Sequence, residues 1–175
     1  MHDWQQSHGS YYADFMVTPV IVLTLALLSI PFGSDRPALI AAFVAGLVLW
    51  TFVEYWTHRA LFHHVFRRAH DLHHIRPRGF DAAPWWMTMA IQAGLGVASI
   101  GVLGWSIGAG AFLGLEVGYF AYIAVHDRIH HGRKARSGHM ARLARAHAIH
   151  HRGVEANFGV VTTAWDRVFG TYDPR

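Results

Sequence analysis

Residues 82–115 read AAPWWMTMAIQAGLGVASIGVLGWSIGAGAFLGL, 34 positions without a charged side chain. A single helix of that length would overrun the ~30 Å hydrocarbon core of a bilayer at ~1.5 Å rise per residue. Gly104-Trp105-Ser106 interrupts the run near its middle, so it reads as a hairpin of two helices, about 85–103 and 107–126. Two more apolar runs precede it. Asp14 and Asp35 bracket 20 uncharged residues, and Arg36 and Glu54 bracket 17, with the apolar pattern continuing to Trp56. These give spans at about 15–34 and 37–57. The chain therefore reads as an all-α membrane protein with four transmembrane helices, one domain over 1–175, and a histidine-rich helical cap formed by 58–81 and 127–175.

Composition narrows the chemistry. Of 175 residues 53% are hydrophobic and only 15% charged, which excludes a disordered coil. There is no cysteine. Disulfide scaffolds, thiolate zinc sites, cysteine-ligated clusters and a cysteine nucleophile are thereby excluded. No nucleic-acid-binding motif occurs. Of the 15 Lys and Arg residues, only Arg36 lies in a short connection on the far side; the other 14 fall in the 58–81 loop and the 126–175 tail. By the positive-inside rule those segments, and with them both termini, are expected on the cytoplasmic side. The same charges suit anionic lipid or an acidic partner protein. The glycines 104, 108, 110, 114 and 118 form a small-residue stripe that lets helices approach closely; a lipid chain lying in the space they leave is the alternative.

Fifteen histidines stand out, and ten are regularly spaced. His58 and His63 form HX4H, His70, His73 and His74 form HX2HH, His126 and His130 form HX3H, and His147, His150 and His151 form a second HX2HH. Positions i, i+3 and i+4 share a helix face, so each HX2HH can aim three imidazoles at one point. His58 and His63, five apart, diverge by about 140° on an ordinary helix, so one of them comes from a frayed end or lies off the main set. Ten imidazoles can fill two metal sites of about five ligands each. Imidazole suits iron, zinc, copper and nickel alike. His64 and His131 adjoin cluster members and serve as alternative or outer ligands. Glu54, one turn before His58, can accept a hydrogen bond from a ligand imidazole, and Asp71, Asp127 and Asp166 can orient ligands similarly; a surface role fits each of these three aspartates equally well. Isolated histidines such as His2, His8 and His139 read as surface groups. Neither the ExxH pairing of soluble di-iron bundles nor HExxH occurs. Within the spans, Gln92 and Glu116 can meet across the hairpin, either lining a substrate tunnel or forming a structural hydrogen bond.

The four boxes resemble the fatty acid hydroxylase / sterol desaturase superfamily of membrane histidine-box oxygenases. Glu54-Tyr55-Trp56-Thr57-His58-Arg59 with Phe62-His63 is similar to its first box, and Gly118-Tyr119 leading into His126-Asp127-Arg128-Ile129-His130-His131-Gly132 to its third. Asn157-Phe158-Gly159-Val160 with Trp165-Asp166-Arg167-Val168-Phe169-Gly170-Thr171 is similar to its closing segment, and the fatty acid 2-hydroxylase type fits best. The resemblance implies a cytosolic centre of two irons held by the ten clustered histidines. Zinc can take their place in a purified sample. It also implies O2 as cosubstrate, two electrons from a separate cytochrome b5-like or ferredoxin donor, and hydroxylation of a lipid C–H bond. A carotenoid or sterol hydroxylase of the same chemistry is the nearest alternative, since His126 and His131 also read as HX4H; a histidine-rich metal transporter is more distant. The oligomeric state is left open.

Overall fold

The computed structural model describes residues 4–133 and 137–175. Its elements are α1 (His8–Tyr11), α2 (Ala13–Phe32), α3 (Arg36–Trp56), a π-helix (Thr57–Val65), α4 (Arg67–Ile75), α5 (Trp85–His130), α6 (Gly138–His150) and α7 (Ala164–Val168). Among the described residues extended pairing is confined to one isolated bridge, Gln5 with Asp81. Three helical stretches, His8–Phe32, Arg36–Val65 and Trp85–His130, are long and apolar enough to cross a membrane.

Contacts divide the chain into two units. One comprises Gln6–Trp50 and Ala83–Phe120. Its core is Leu25, Ala109, Phe112 and Leu113, backed by Ile21, Val22, Phe43, Ile100 and Trp105. Its outer face is apolar too: Val97 and Val102 are 75% and 81% exposed, an arrangement suited to lipid rather than water.

Within this unit α5 carries one non-helical residue, Gly104 (φ 75°, ψ 171°). That φ belongs to glycine. The chain doubles back there: a Cβ at Gly108 would lie 2.6 Å from the Cα of Ile100, although eight residues of straight helix would separate them by ~12 Å. The interruption expected at Gly104-Trp105-Ser106 is thus a real reversal. The glycine stripe lets the helices approach closely as expected, with Gly104 the exception. Gly104 makes the turn and has open space around it, whereas Gly114 presses on the α3 backbone, where an added Cβ would lie 2.7 Å from Leu47 N and 2.9 Å from Gly46 Cα. Gly118 meets the Trp50 side chain in the same way, at 2.5 Å. No room for a lipid chain remains at either glycine.

Buried polar groups also tie this unit together. Asp14 accepts hydrogen bonds from Thr88 Oγ1 (2.9 Å) and from the Tyr119 hydroxyl. Gln92 and Glu116 are both buried, yet neither polar atom of the Gln92 side chain has a hydrogen-bond partner. The Gln92–Glu116 hydrogen bond, one of the two roles open to this pair, is therefore not made.

The other unit comprises Met1–Gln5, Thr51–Ala82 and Ala121–Arg175. It buries Tyr55, Phe158 and Val160 almost completely. Tyr55 stacks on Phe169 at 5.3 Å, and Trp165 Nε1 donates to Thr51 Oγ1 at 2.9 Å, which fixes α7 against the end of α3.

The glycine contacts make a prediction. Gly114→Ile should destabilise the protein by about 1–3 kcal/mol through overpacking, seen as a lowered unfolding midpoint in detergent. Gly94→Ala, where nothing lies within 4 Å, should leave the midpoint unchanged or raise it.

Candidate metal centre

All ten spaced histidines lie in the second unit described, and the fold gathers them into two groups. His58, His63, His70, His74 and His150 form the first, and His73, His126, His130, His147 and His151 the second; in each, the ligand atoms lie within 4.8 Å of one another. The grouping cuts across the boxes. Each HX2HH sends its i and i+4 residues to one group and its i+3 residue to the other, so three imidazoles do not converge on one point as the spacing suggested. Helical geometry explains the split, because i+3 and i+4 lie on opposite sides of residue i.

The first box departs from expectation for another reason. His58 and His63 sit on the π-helix, whose i→i+5 hydrogen bonding brings residues five apart onto one face. The amide of Phe66 closes it by donating to Leu61 O at 2.7 Å. Both histidines therefore join the first group, and neither lies off the set. A single α-helix through these residues would separate them.

The ring nitrogens show what the groups are prepared to hold. His58 Nδ1 faces the carbonyl of Phe158 at 2.6 Å, and His150 Nδ1 faces that of Ala156 at 2.9 Å. A carbonyl only accepts, so each Nδ1 carries the proton and each Nε2 turns a lone pair inward. His58 Nε2 and His74 Nε2 both lie 3.0 Å from His70 Nε2. One ring nitrogen has a single in-plane position, so hydrogen bonds cannot satisfy both contacts. In the second group His147 Nε2 lies 2.9 Å from His130 Nε2 and 3.0 Å from His151 Nε2. Nitrogens bound at ~2.1 Å to one ion at right angles stand ~3.0 Å apart. His73 Nε2 is buried there without a hydrogen-bond partner.

Burial keeps these lone pairs free of protons. Desolvation, reinforced by neighbouring imidazoles, pushes His70 down to about 2. Desolvation likewise pushes His150 and His151 down to about 3. His73 and His147 are lowered strongly for the same reason, and His74 is lowered by burial and His63. Two nests of neutral nitrogen donors are suited to divalent transition metals.

The closing segment holds the donors in place. Asp166 is fully buried. Its Oδ1 accepts from Phe158 N at 2.8 Å and its Oδ2 from Gly159 N at 2.9 Å, fixing the peptide whose carbonyl faces His58. Burial raises the Asp166 carboxyl, while these bonds and the one from Thr171 oppose the rise. Glu54 does not take the imidazole hydrogen bond expected of it from His58. Its Oε1 accepts from the amides of Val160 (2.5 Å) and Val161 (3.0 Å), and His58 uses Phe158 instead.

The remaining expected residues are scattered. Asp71 is exposed and pairs with Arg67 at 3.6 Å. Asp127 O accepts the amide of His131, whose ring stacks on Phe80 at 5.4 Å. His64 and His139 are exposed, and His2 lies outside the described residues. Sequence reasoning missed the carbonyls of Phe158 and Ala156. A signal for that turn is Asn157, which adopts φ 56° and brackets the C-terminal strap through bonds to Asp173.

Residues 43–171 match the family model described as fatty acid hydroxylase. The chain belongs to the fatty acid hydroxylase family. Among its relatives is a ceramide very long chain fatty acid hydroxylase of Schizosaccharomyces pombe, 30% identical over 77% of this chain and 43% of the relative. A dihydroceramide fatty acyl 2-hydroxylase of Arabidopsis thaliana is 28% identical over 87% of this chain and 69% of the relative. A fatty acid 2-hydroxylase of Mus musculus is 31% identical over 77% and 40% respectively. The chain thus spans less than half of the yeast and mouse proteins. A solved structure described as full-length Scs7p, with only the hydroxylase domain visible, shares the fold: TM-score 0.81 at 24% identity, covering 94% of this chain and 67% of that one. The family match takes in all ten clustered histidines and the Asp166 strap.

Asp166 should therefore act on metal binding at a distance. Asp166→Asn places an amide NH2 against a backbone N–H and should weaken metal affinity about 10–100-fold, measured by competition with a chelator. Asp35→Asn, in the other unit, where the carboxylate accepts from Ala38 N at 3.0 Å, should leave that affinity unchanged.

Proposed function

We propose that this chain is an integral membrane hydroxylase that places one oxygen atom of O2 into a C–H bond of an acyl lipid, using two irons held by the two histidine groups. The observation that carries this reading is the pair of adjoining nitrogen-only donor sets within a chain of the fatty acid hydroxylase family. The overall change is R–H + O2 + 2 electrons + 2 protons → R–OH + H2O. The electrons come from a cytochrome b5-like or ferredoxin donor.

The residues fit the metals on chemical grounds. His58, His63, His70, His74 and His150 would hold one ion and His73, His126, His130, His147 and His151 the other. An unactivated C–H bond offers no acid, base or electrophile to exploit, so the redox chemistry is what the metals supply when bound. The chain's own contribution is orientation and dryness. The Phe158 and Ala156 carbonyls hold His58 and His150 with their Nε2 atoms inward. Asp166 and Glu54 hold the peptides from Phe158 to Val161 that carry part of this scaffold. Tyr122 stacks on His126 at 5.8 Å and limits its rotation.

In this reading the chain is one functional domain with four crossings, the third and fourth separated at Gly104. The histidine-bearing segments 58–81 and 127–175, and both termini, face the cytoplasm. The distribution of basic residues supports that orientation.

The test is turnover under isotopically labelled O2 with iron-loaded protein in bilayer discs, a reduced donor and an acyl lipid. The product should gain one labelled oxygen atom. A product whose oxygen derives from water, or no oxidised lipid despite donor-dependent O2 consumption, would contradict the proposal.

A further inference from the structure

Six polar side chains of the apolar unit, Gln6–Trp50 with Ala83–Phe120, fall into two layers. The upper layer is Asp14 with Thr88 and Tyr119, whose hydroxyls both donate to its carboxylate. These bonds fix the register of α2 against the two arms of α5. One helical turn deeper on each, by ~5–6 Å, come Thr18, Gln92 and Glu116. Thr18 follows Asp14, and Gln92 follows Thr88, by four residues; Glu116 precedes Tyr119 by three on the returning arm. Each therefore shares a helix face with its upper neighbour, and the three side chains are aimed at one space.

That lower layer is closed and unsatisfied. Thr18, Gln92 and Glu116 are 0%, 6% and 3% exposed. Thr18 Oγ1, both polar atoms of the Gln92 side chain and Glu116 Oε2 have no hydrogen-bond partner. Pro19, next in the chain after Thr18, has no amide hydrogen to offer the Phe15 carbonyl four residues back. A backbone oxygen beside this layer thus lacks its helical partner as well. Unpaired polar atoms in apolar surroundings are costly.

Charge selects the occupant. The only Lys, Arg or His residues of this unit are His8 and Arg36, both exposed. Asp14 is compensated without them, because two hydroxyls donate to it and it stands in the first turn of α2, where the helix dipole favours negative charge. Glu116 lies in mid-helix, and the Asp14 carboxylate is near enough to repel it. A bare carboxylate inside a span is expensive. A proton would remove that charge but leave the Thr18 and Gln92 side chains unmatched. One cation answers all three, since a hydroxyl, an amide oxygen and a carboxylate are the donors that hard cations take.

We infer that Thr18, Gln92 and Glu116 bind a single alkali-metal cation between α2 and the two arms of α5. One uncompensated carboxylate asks for one positive charge, so the ion is monovalent. Gln92 and Glu116 then meet through the ion rather than by a direct hydrogen bond. The inference is independent of the hydroxylase reading.

The experiment is equilibrium binding of radiolabelled Na+ to whole, metal-loaded protein in discs of zwitterionic lipid, with choline as the background cation. Binding should saturate at one ion per chain. Unlabelled Na+ should displace it, and Ca2+ only at far higher concentration. The histidine groups, being nitrogen donors suited to transition metals, do not contribute. Glu116→Gln and Gln92→Leu should each weaken binding about tenfold or more, the scale of a lost contact to a charged group. Thr18→Val, closest in shape, should weaken it by a smaller factor. Ser29→Ala, three turns further along α2 with its hydroxyl on Leu25 O, should leave it intact. Replacing choline by Na+ should raise the unfolding midpoint of the unaltered protein and of Ser29→Ala, but not that of Glu116→Gln.

Absence of saturable Na+ binding by the unaltered protein would overturn the inference, whatever the variants do. Full binding in both Glu116→Gln and Gln92→Leu, or Ca2+ as the stronger competitor, would overturn it too.

Discussion

Ten imidazoles facing one another in a buried space are unfavourable unless something cationic joins them. Protonation is opposed by burial and by the neighbouring rings, and hydrogen bonds cannot satisfy His70 Nε2 against both His58 and His74. This convergence of lone pairs is the constraint on which the rest of the histidine-bearing unit depends. A metal ion bound there would relieve it, which would couple metal binding to the final packing of this unit.

Around that constraint the scaffold is mostly backbone. Two carboxylates, Glu54 and Asp166, together accept four amide hydrogen bonds from residues 158–161, and the carbonyl of Phe158 then faces a histidine. The carboxylates act on the donors through peptide groups rather than by touching imidazoles. A strap of this kind resists small shifts, because all four amides and the Phe158 carbonyl have hydrogen-bond partners. Tyr55 adds a lateral tie, its hydroxyl 3.1 Å from Thr171 Oγ1 and accepting from Arg59 at 2.8 Å.

Much of this is legible in the sequence, and the exceptions have physical causes. The uncharged runs and the reversal at Gly104 follow from charge spacing and one glycine-rich turn. The repeated boxes single out the ten residues that the fold brings together. Their division between two groups is harder to read, because helical spacing alone does not say that i+3 leaves i and i+4. The π-helix is hidden as well: nothing in Thr57–Val65 announces an i→i+5 ladder, yet it alone places His58 beside His63. The partners of Glu54 are amides about a hundred residues away, and a backbone amide carries no side-chain signature. Of the two roles open to Gln92 and Glu116, the hydrogen bond is not made, since complementarity within a hairpin does not ensure contact.

The most direct test of the central claim is Mössbauer spectroscopy, with iron quantification, on whole protein loaded anaerobically with enriched iron. Two irons per chain in nitrogen-rich environments, magnetically coupled after oxidation, are the result this account predicts. A single iron per chain, or two irons that remain uncoupled and respond identically to the loss of His70 and of His73, would contradict it.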